Sequence, residues 1–134
     1  MSEKLTIAGC IKLSQQLTAV SDTPRLDIEL LLAHILKKSR TYLFTWPDAI
    51  LNPEQSKTFE EYFARRLTGE PIAHITGVRE FWSLPIAVNN STLIPRPDTE
   101  LLVETALSIF AEDENNIQRN ILDLGTGTGA IVLA

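Results

Sequence analysis

Residues 121–134 read Ile-Leu-Asp-Leu-Gly-Thr-Gly-Thr-Gly-Ala-Ile-Val-Leu-Ala, and they indicate the fold of the second half of the chain. The first four form a mostly apolar run, which is typical of a buried strand in a parallel sheet. Glycines alternate with threonines after it, and the last five residues begin an apolar helix. A strand, a glycine-rich turn and a helix predict the first part of a nucleotide-binding α/β unit, because glycine lets the backbone approach a ligand without interference from a Cβ atom.

The spacing of the glycines limits the kind of ligand. A Walker A loop is excluded, because no Gly-Lys-Ser or Gly-Lys-Thr follows the turn. Gly125, Gly127 and Ala130 satisfy the G-x-G-x-x-A dinucleotide pattern, so a dinucleotide-binding dehydrogenase is one alternative. A tight turn without a ligand would not need three glycines.

The first half of the chain reads as a series of short helices. Thr23-Pro24 is an N-cap and N1 pair, and Asn52-Pro53 with Gln55 forms the pattern of a capping box. Gly69 suits the left-handed position after the end of a helix. The predicted helices cover residues 5–20, 24–38, 40–46 and 53–68. The last of them is predicted to carry an apolar stripe at helical spacing, formed by Phe59, Tyr62, Phe63 and Leu67.

The pattern changes from residue 72. Val78–Trp82 and Ile86–Val88 are predicted to form two short strands, in a hairpin or an extended connector. Prolines hold the following loop, residues 94–98, extended. It leads into a helix and then a polar loop over residues 112–120. The apolar face of that helix is formed by Leu101, Leu102, Ala106, Ile109 and Phe110.

Composition and charge restrict the class of protein. The 134 residues include 44% hydrophobic residues and carry a net charge of −5. Residues 76–134 hold three bases and eight acids, so the net charge lies there and disfavours binding of nucleic acid.

The one cysteine, Cys10, excludes an internal disulfide and a cysteine-based zinc site, and is most simply a core residue. No apolar run approaches the roughly 20 residues that span a bilayer, and no signal peptide is evident, so we expect a soluble cytoplasmic protein.

The segment Asp123–Gly129 resembles motif I of the class I S-adenosylmethionine-dependent methyltransferases. Residues 69–77, Arg79–Trp82 and 93–100 are, in addition, similar to the release factor glutamine N5-methyltransferase (HemK/PrmC) family. The resemblance implies a helical-bundle N-terminal domain at 1–71, a β-hairpin linker at 72–92 and, at 93–134, the beginning of an α/β Rossmann-like methyltransferase domain. It also implies methyl transfer from S-adenosylmethionine to the glutamine of the Gly-Gly-Gln motif in peptide chain release factors.

The same resemblance implies the cofactor site. In that family the glycine turn passes under the methionine part of the cofactor, and the nearby acid helps to organise its amino end. The residues implied to bind S-adenosylmethionine are Asp123, Gly125, Thr126, Gly127, Thr128, Gly129, Arg96, Pro97 and Thr99.

One departure from the family concerns catalysis. The Asn-Pro-Pro-Tyr motif that orients the substrate amide is absent, because Asn52-Pro53 continues as Glu54. We therefore expect an N-terminal part of a longer enzyme, with no catalytic residue and no turnover of its own. An unpaired apolar strand at 121–124 would also expose apolar surface. No metal site is expected, and release factors are the expected partners of a monomer.

Several residues have simpler structural interpretations. Arg96 and Asp98 could form a local salt bridge, and Asp98 or Thr99 could cap a helix. Phe81 and Trp82 fit the core of the hairpin better than a substrate platform, and His74 fits a structural histidine better than a base. Two other functions stay open besides the dehydrogenase: a different amine or amide methyltransferase, and a non-catalytic helical module that binds proteins.

Overall fold

The structure, a computed structural model, describes residues 4–111 and 120–134. Contacts divide the chain into two compact units, one ending at Thr76 and the other beginning at Gly77. The described residues are mainly helical, with one small antiparallel sheet. The predicted polar loop at 112–120 lies, except for its last residue, outside the described residues.

Five helices build the first unit. Three are short and two are long, and a 3-10 turn at Leu13–Leu17 follows the first of them. The helices are α1 (Ile7–Lys12), α2 (Pro24–Leu36), α3 (Arg40–Thr45), α4 (Pro53–Leu67) and α5 (Ile72–Thr76). A further connection comes from the bridge between Thr6 and Ile50, beside which the Leu51 N–H donates to the Leu5 carbonyl at 2.9 Å.

Apolar side chains from these helices form one core. Burying them away from water is the main stabilising contribution to a unit of this size. The predicted apolar stripe of α4 is confirmed at Phe59, which is 1% exposed, but Leu67 at the end of that stripe is exposed. The core contains Ile7, Cys10, Leu17, Ile28, Leu32, Leu43, Leu51 and Phe59.

Local capping explains where the helices begin. The capping box at α4 is confirmed: the Gln55 N–H donates to Asn52 Oδ1 at 2.8 Å, and the Asn52 N–H donates to Gln55 Oε1 at 3.0 Å. Helix α2 begins at Pro24 as predicted, although the Thr23 side chain makes no capping hydrogen bond. The helix ends at Leu36, two residues before the predicted end, because Lys37 adopts a left-handed conformation with φ of 52°.

Two buried carboxylates on α2 hold neighbouring helices. Asp27 is 6% exposed and accepts from Arg66 Nε of α4 at 2.7 Å. Glu29 is 2% exposed and pairs with both Arg25 and Arg40. Charged residues are this deeply buried only when they are paired and hydrogen-bonded.

Cys10 has the buried position that its apolar neighbours predict. It is fully buried, and this burial raises the pKa of its thiol from 9.0 to about 11.

We expect the Cys10 thiol of the folded protein to resist a thiol-specific reagent at about pH 8 and to react rapidly in urea. Because the folded pKa exceeds the unfolded one, the thiol's contribution to stability is present below about pH 9 and lost as pH rises through about 11. Rapid labelling of the folded chain would contradict this burial.

The second unit begins with a hairpin. Strands β1 (Val78–Phe81) and β2 (Leu84–Ala87) are antiparallel, with Phe81 opposite Leu84. The prediction of two strands is confirmed, but Leu84 and Pro85 lie in β2 and not in the connection. A two-residue turn suffices because Trp82 and Ser83 both take positive φ, 51° and 60°, which matches the twist of the strands.

Two further boundaries in the described chain differ from those predicted from the sequence. Residues 72–76, expected in the linker, form α5 and pack on α2 and α4 within the first unit. The helix predicted over residues 5–20 ends at Lys12 and continues as the 3-10 turn. Short helices of this kind depend on packing more than on propensity, so periodicity alone did not locate their ends.

The prediction of a strand at residues 121–124 is wrong. These residues form no strand, and Leu122 and Leu124 are 81% and 83% exposed. A strand needs a neighbour to accept its backbone hydrogen bonds, and no described segment pairs with this one. The expected exposure of apolar surface is therefore observed.

Two helices accompany this segment in the second unit. Helix α6 (Glu100–Ala111) follows a 3-10 turn at Pro97–Thr99, and α7 (Ala130–Leu133) follows the glycine turn. Of the α6 residues, only Val103 is buried. Leu101, Leu102 and Ile109 of the predicted apolar face are exposed. The Rossmann-like sheet thus has no counterpart in the described residues.

Candidate functional site

A cleft of about 190 Å³ lies within the second unit. Its walls come from three separated segments: the end of β1, the proline-containing loop before α6, and the glycine turn before α7. Folding thus brings together residues as far apart in sequence as Phe81 and Ile131. The lining residues are Phe81, Leu93, Ile94, Pro95, Arg96, Thr99, Gly125, Thr126, Gly127, Thr128, Ala130 and Ile131.

The glycine turn forms one wall through its backbone. Gly125 and Gly127 have φ values of 71° and 55°, which residues with a Cβ adopt at a cost. A Cβ added at Gly125 would meet nothing within 4 Å, and one added at Gly127 would meet only the Gly125 carbonyl oxygen at 3.9 Å. Gly129 also has a positive φ, 77°. The conformation of the turn itself therefore requires all three glycines, so the expectation that a turn without a ligand would not need them is wrong. The space beside Gly125 and Gly127 is open to a ligand.

Asp123, which precedes the turn, carries an unsatisfied atom. Its Oδ2 is buried and has no hydrogen-bond partner among the described residues. An unpaired buried oxygen is costly, so a donor from a ligand would stabilise it. Asp123, Pro97 and Gly129 do not line the cleft, although the sequence grouped them with the residues that do.

The loop before α6 forms another part of the cleft wall. Arg96 is exposed and extended, and the Thr99 N–H donates to its carbonyl at 3.1 Å. Within the described ranges no ion pair joins Arg96 to Asp98, so the salt bridge considered from the sequence is not formed there. Arg96 and Thr99 both line the cleft, while the binding of a cofactor by them stays a prediction.

Glu100 is a residue that the sequence did not single out. Its Oε1 accepts a hydrogen bond from the Trp82 N–H at 2.9 Å. This bond joins the start of α6 to the hairpin turn, and the adjacent residues Thr99 and Phe81 both line the cleft. Phe81 is 1% exposed, which agrees with its predicted place in the hairpin core. The positive φ values of the turn became visible only in the structure, so the sequence held no local signal for this contact.

Replacing Glu100 by alanine should release the hairpin turn. We expect the amide hydrogen of Trp82 to exchange about five- to tenfold faster, because its charged acceptor is lost. Hydrogen exchange followed by NMR measures this change. Glu100→Gln is the control, since its amide oxygen can still accept the bond. Equal exchange rates in wild type and Glu100→Ala would contradict the contact.

The histidine considered as a base lies in the other unit. His74 belongs to α5, and its Nε2 is buried without a hydrogen-bond partner in the described structure. Its carbonyl accepts from Arg65 at 3.4 Å. Among the described residues, no cluster of histidine, cysteine and carboxylate side chains could hold a metal ion. No helix in the described part of the chain is long and apolar enough to cross a membrane.

Comparison with known proteins adds to this geometry. A family profile described as the PrmC N-terminal domain matches residues 11–77, half of the chain. Relatives called release factor glutamine methyltransferase are 51% identical in Shewanella oneidensis, over 100% of this chain and 46% of the relative, and 57% identical in Coxiella burnetii, over 91% and 43%. The relative of that name in Escherichia coli is 53% identical over 85% of this chain and 40% of its own length. The chain thus spans less than half the length of these relatives.

Proposed function

The chain belongs to the PrmC family of release factor glutamine methyltransferases, and from this premise we propose the activity of the whole protein. It transfers a methyl group from S-adenosylmethionine to the side-chain amide of the glutamine in the Gly-Gly-Gln motif of peptide chain release factors. The observation that carries this proposal is the cleft that is lined both by the glycine turn and by the loop containing Arg96 and Thr99. Both segments were grouped from sequence as parts of one cofactor site.

The residues around the cleft fit S-adenosylmethionine. The open space beside Gly125 gives access to the backbone of the turn. Asp123 lies two residues before Gly125 and outside the lining of the cleft, and its unpaired Oδ2 can accept from an amino group. Thr126, Thr128, Arg96 and Thr99 add polar residues to the lining of the cleft. Pro97 and Gly129 shape the two loops. The bound cofactor supplies an activated methyl group.

The residues of this chain bind and orient, and they do not supply the catalytic step. An amide nitrogen is a poor nucleophile, so the reaction requires the substrate amide to be held in line with the methyl group. The Asn-Pro-Pro-Tyr motif that would do this is absent from the 134 residues. We therefore expect this chain alone to show no turnover.

The two units have separate roles in this proposal. The helical unit recruits the protein substrate, and residues 93–134 begin the Rossmann-like methyltransferase domain, joined to it by the hairpin. Strand pairing would then convert the exposed segment 121–124 into a buried strand, because its apolar side chains and free backbone groups need a partner. The protein acts as a monomer in the cytoplasm, where release factors are found.

Deleting the gene provides the direct test of the activity. We expect release factor isolated from the deletion strain to lack the methyl group on its Gly-Gly-Gln glutamine, as measured by mass spectrometry of the tryptic peptide. A plasmid copy of the gene should restore the modification. Unchanged methylation in the deletion strain would reject the proposed substrate. If the deletion strain lost methylation of its DNA and kept that of the release factor, a different amine methyltransferase would be favoured. Binding of NADH by the protein would favour the dehydrogenase.

A further inference from the structure

The helical unit contains a second cleft, of about 420 Å³, beside the start of α2. Three charged side chains line it together with Thr23, Leu26 and Phe44. The Glu29 side chain is 2% exposed, whereas the side chains of Arg25 and Arg40 are 65% and 48% exposed. The carboxylate of Glu29 is therefore buried, and the two arginine side chains are exposed to solvent.

Glu29 holds both guanidinium groups in place. Arg25 Nε donates to Oε1 at 2.9 Å, and Arg40 donates to Oε2 from Nε at 3.0 Å and from Nη2 at 2.6 Å. One carboxylate balances one of the two positive charges, so one positive charge remains. The other N–H groups, both Nη of Arg25 and Nη1 of Arg40, donate to no described residue. Because the arginines are already oriented, they lose little conformational freedom when they bind a ligand.

Exposed aromatic side chains adjoin the arginines. Phe44 is 52% exposed, and the guanidinium carbon of Arg25 lies 5.8 Å from the centre of its ring. Trp46, directly after α3, is 57% exposed. Arginine and aromatic residues are enriched at protein interfaces, where they provide planar hydrogen-bond donors and large contact areas.

We propose that Arg25, Arg40 and Phe44 form a docking site for an acidic segment of a protein partner. A carboxylate of that segment accepts from the free guanidinium N–H groups, and an adjacent apolar side chain packs on the Phe44 ring. Nucleic acid fits less well, because binding to its backbone uses several positive charges, and this site retains one. The identification of the partner as a release factor rests on the proposed function. The argument for the docking site itself does not depend on that function.

NMR of the 134-residue chain can locate the site. The probe is a short peptide of glutamate and leucine, added to the ¹⁵N-labelled chain. We expect shifts of the Nε–H signals of Arg25 and Arg40 and of the Phe44 amide, with affinity that falls as salt is raised. A peptide with glutamine in place of glutamate, and a short DNA duplex, should leave these signals unchanged. Shifts confined to other residues, or caused by DNA and not by the peptide, would overturn the proposal.

Two variants test the contacts while keeping the fold. Arg25→Gln leaves Glu29 paired with Arg40, and Phe44→Ala changes an exposed side chain. We expect each to bind the acidic peptide about three- to tenfold more weakly. Lys57→Gln is the matched control, since Lys57 is 80% exposed on α4 and the same charge is removed outside the cleft. Wild-type affinity in both cleft variants would reject the site.

A competition experiment then tests the partner. Unmethylated release factor should displace the glutamate-leucine peptide from the wild-type chain. If it does not, the release factor is rejected as the protein that docks in this cleft. The gene-deletion experiment decides the proposed methylation separately, so failure of the docking site and failure of the proposed function are distinguished.

Discussion

Replacement of Arg66 by methionine is expected to lower the free energy of unfolding by about 3–5 kcal/mol. The substitution leaves the carboxylate of Asp27, which is 6% exposed, without its cation. It also removes donors to two carbonyl groups, those of Val20 at 2.9 Å and of Glu70 at 3.2 Å. A loss of this size would be a large part of the roughly 5–15 kcal/mol that stabilises a typical domain. Urea unfolding followed by circular dichroism measures it.

Two further variants identify the cause of that loss. The double variant Asp27→Leu/Arg66→Met removes both charges together, and we expect it to recover most of the stability, because no unpaired charge remains in the interior. Lys57→Met, on the exposed side of the same helix, should change stability by less than about 0.5 kcal/mol. A loss below about 1 kcal/mol in Arg66→Met would show that water reaches Asp27, and the pair would then not stabilise the packing of α2 on α4.

Gly127→Val should weaken binding of S-adenosylhomocysteine to the whole protein by about a hundredfold or more. Gly127 has φ of 55°, and a β-branched residue in that conformation is strongly strained. The turn would relax to negative φ and move the backbone that lines the cleft beside Thr126 and Thr128. Isothermal titration calorimetry reports the loss without requiring turnover.

The control for Gly127→Val is another glycine with positive φ. Gly69 has φ of 88°, lies in the helical unit, and has nothing within 4 Å of an added Cβ. Gly69→Ala should cost about 1 kcal/mol of stability and leave the affinity for S-adenosylhomocysteine unchanged. Equal affinity of wild type and Gly127→Val would show that the glycine turn does not form the cofactor site, and the proposed function would lose its supporting observation.

Features that depend on neighbouring residues were predictable from the sequence. The start of α4 follows from Asn52, Pro53 and Gln55, because a capping box is a set of hydrogen bonds between residues three positions apart. The residues implied for the cofactor site came from the resemblance of two sequence motifs to a methyltransferase family. The structure places six of the nine around one cleft, while their binding of a cofactor stays a prediction.

Features that depend on distant residues were not predictable. Arg66 and Asp27 are 39 positions apart, and periodicity placed Leu67, not Arg66, on the buried stripe of α4. The hydrogen bond between Trp82 and Glu100 joins residues 18 positions apart. It depends on the hairpin turn, in which Trp82 and Ser83 take positive φ values that neither tryptophan nor serine favours. Contacts of this kind form only once the helices and the hairpin are packed.

The sequence by itself determined where the capped helices begin, where the glycine turn lies and which family the motifs resemble, since these follow from local geometry and residue type. Only the tertiary structure decided that Arg96 and Thr99 share a cleft with the glycine turn, and that Glu29 presents Arg25 and Arg40 to solvent. It also decided that residues 121–124 form no strand in the described chain. The physical reason is the same for all three features. Which residues share a cleft, where a side chain is held and whether a strand forms all depend on residues that are distant in sequence and that only folding brings near.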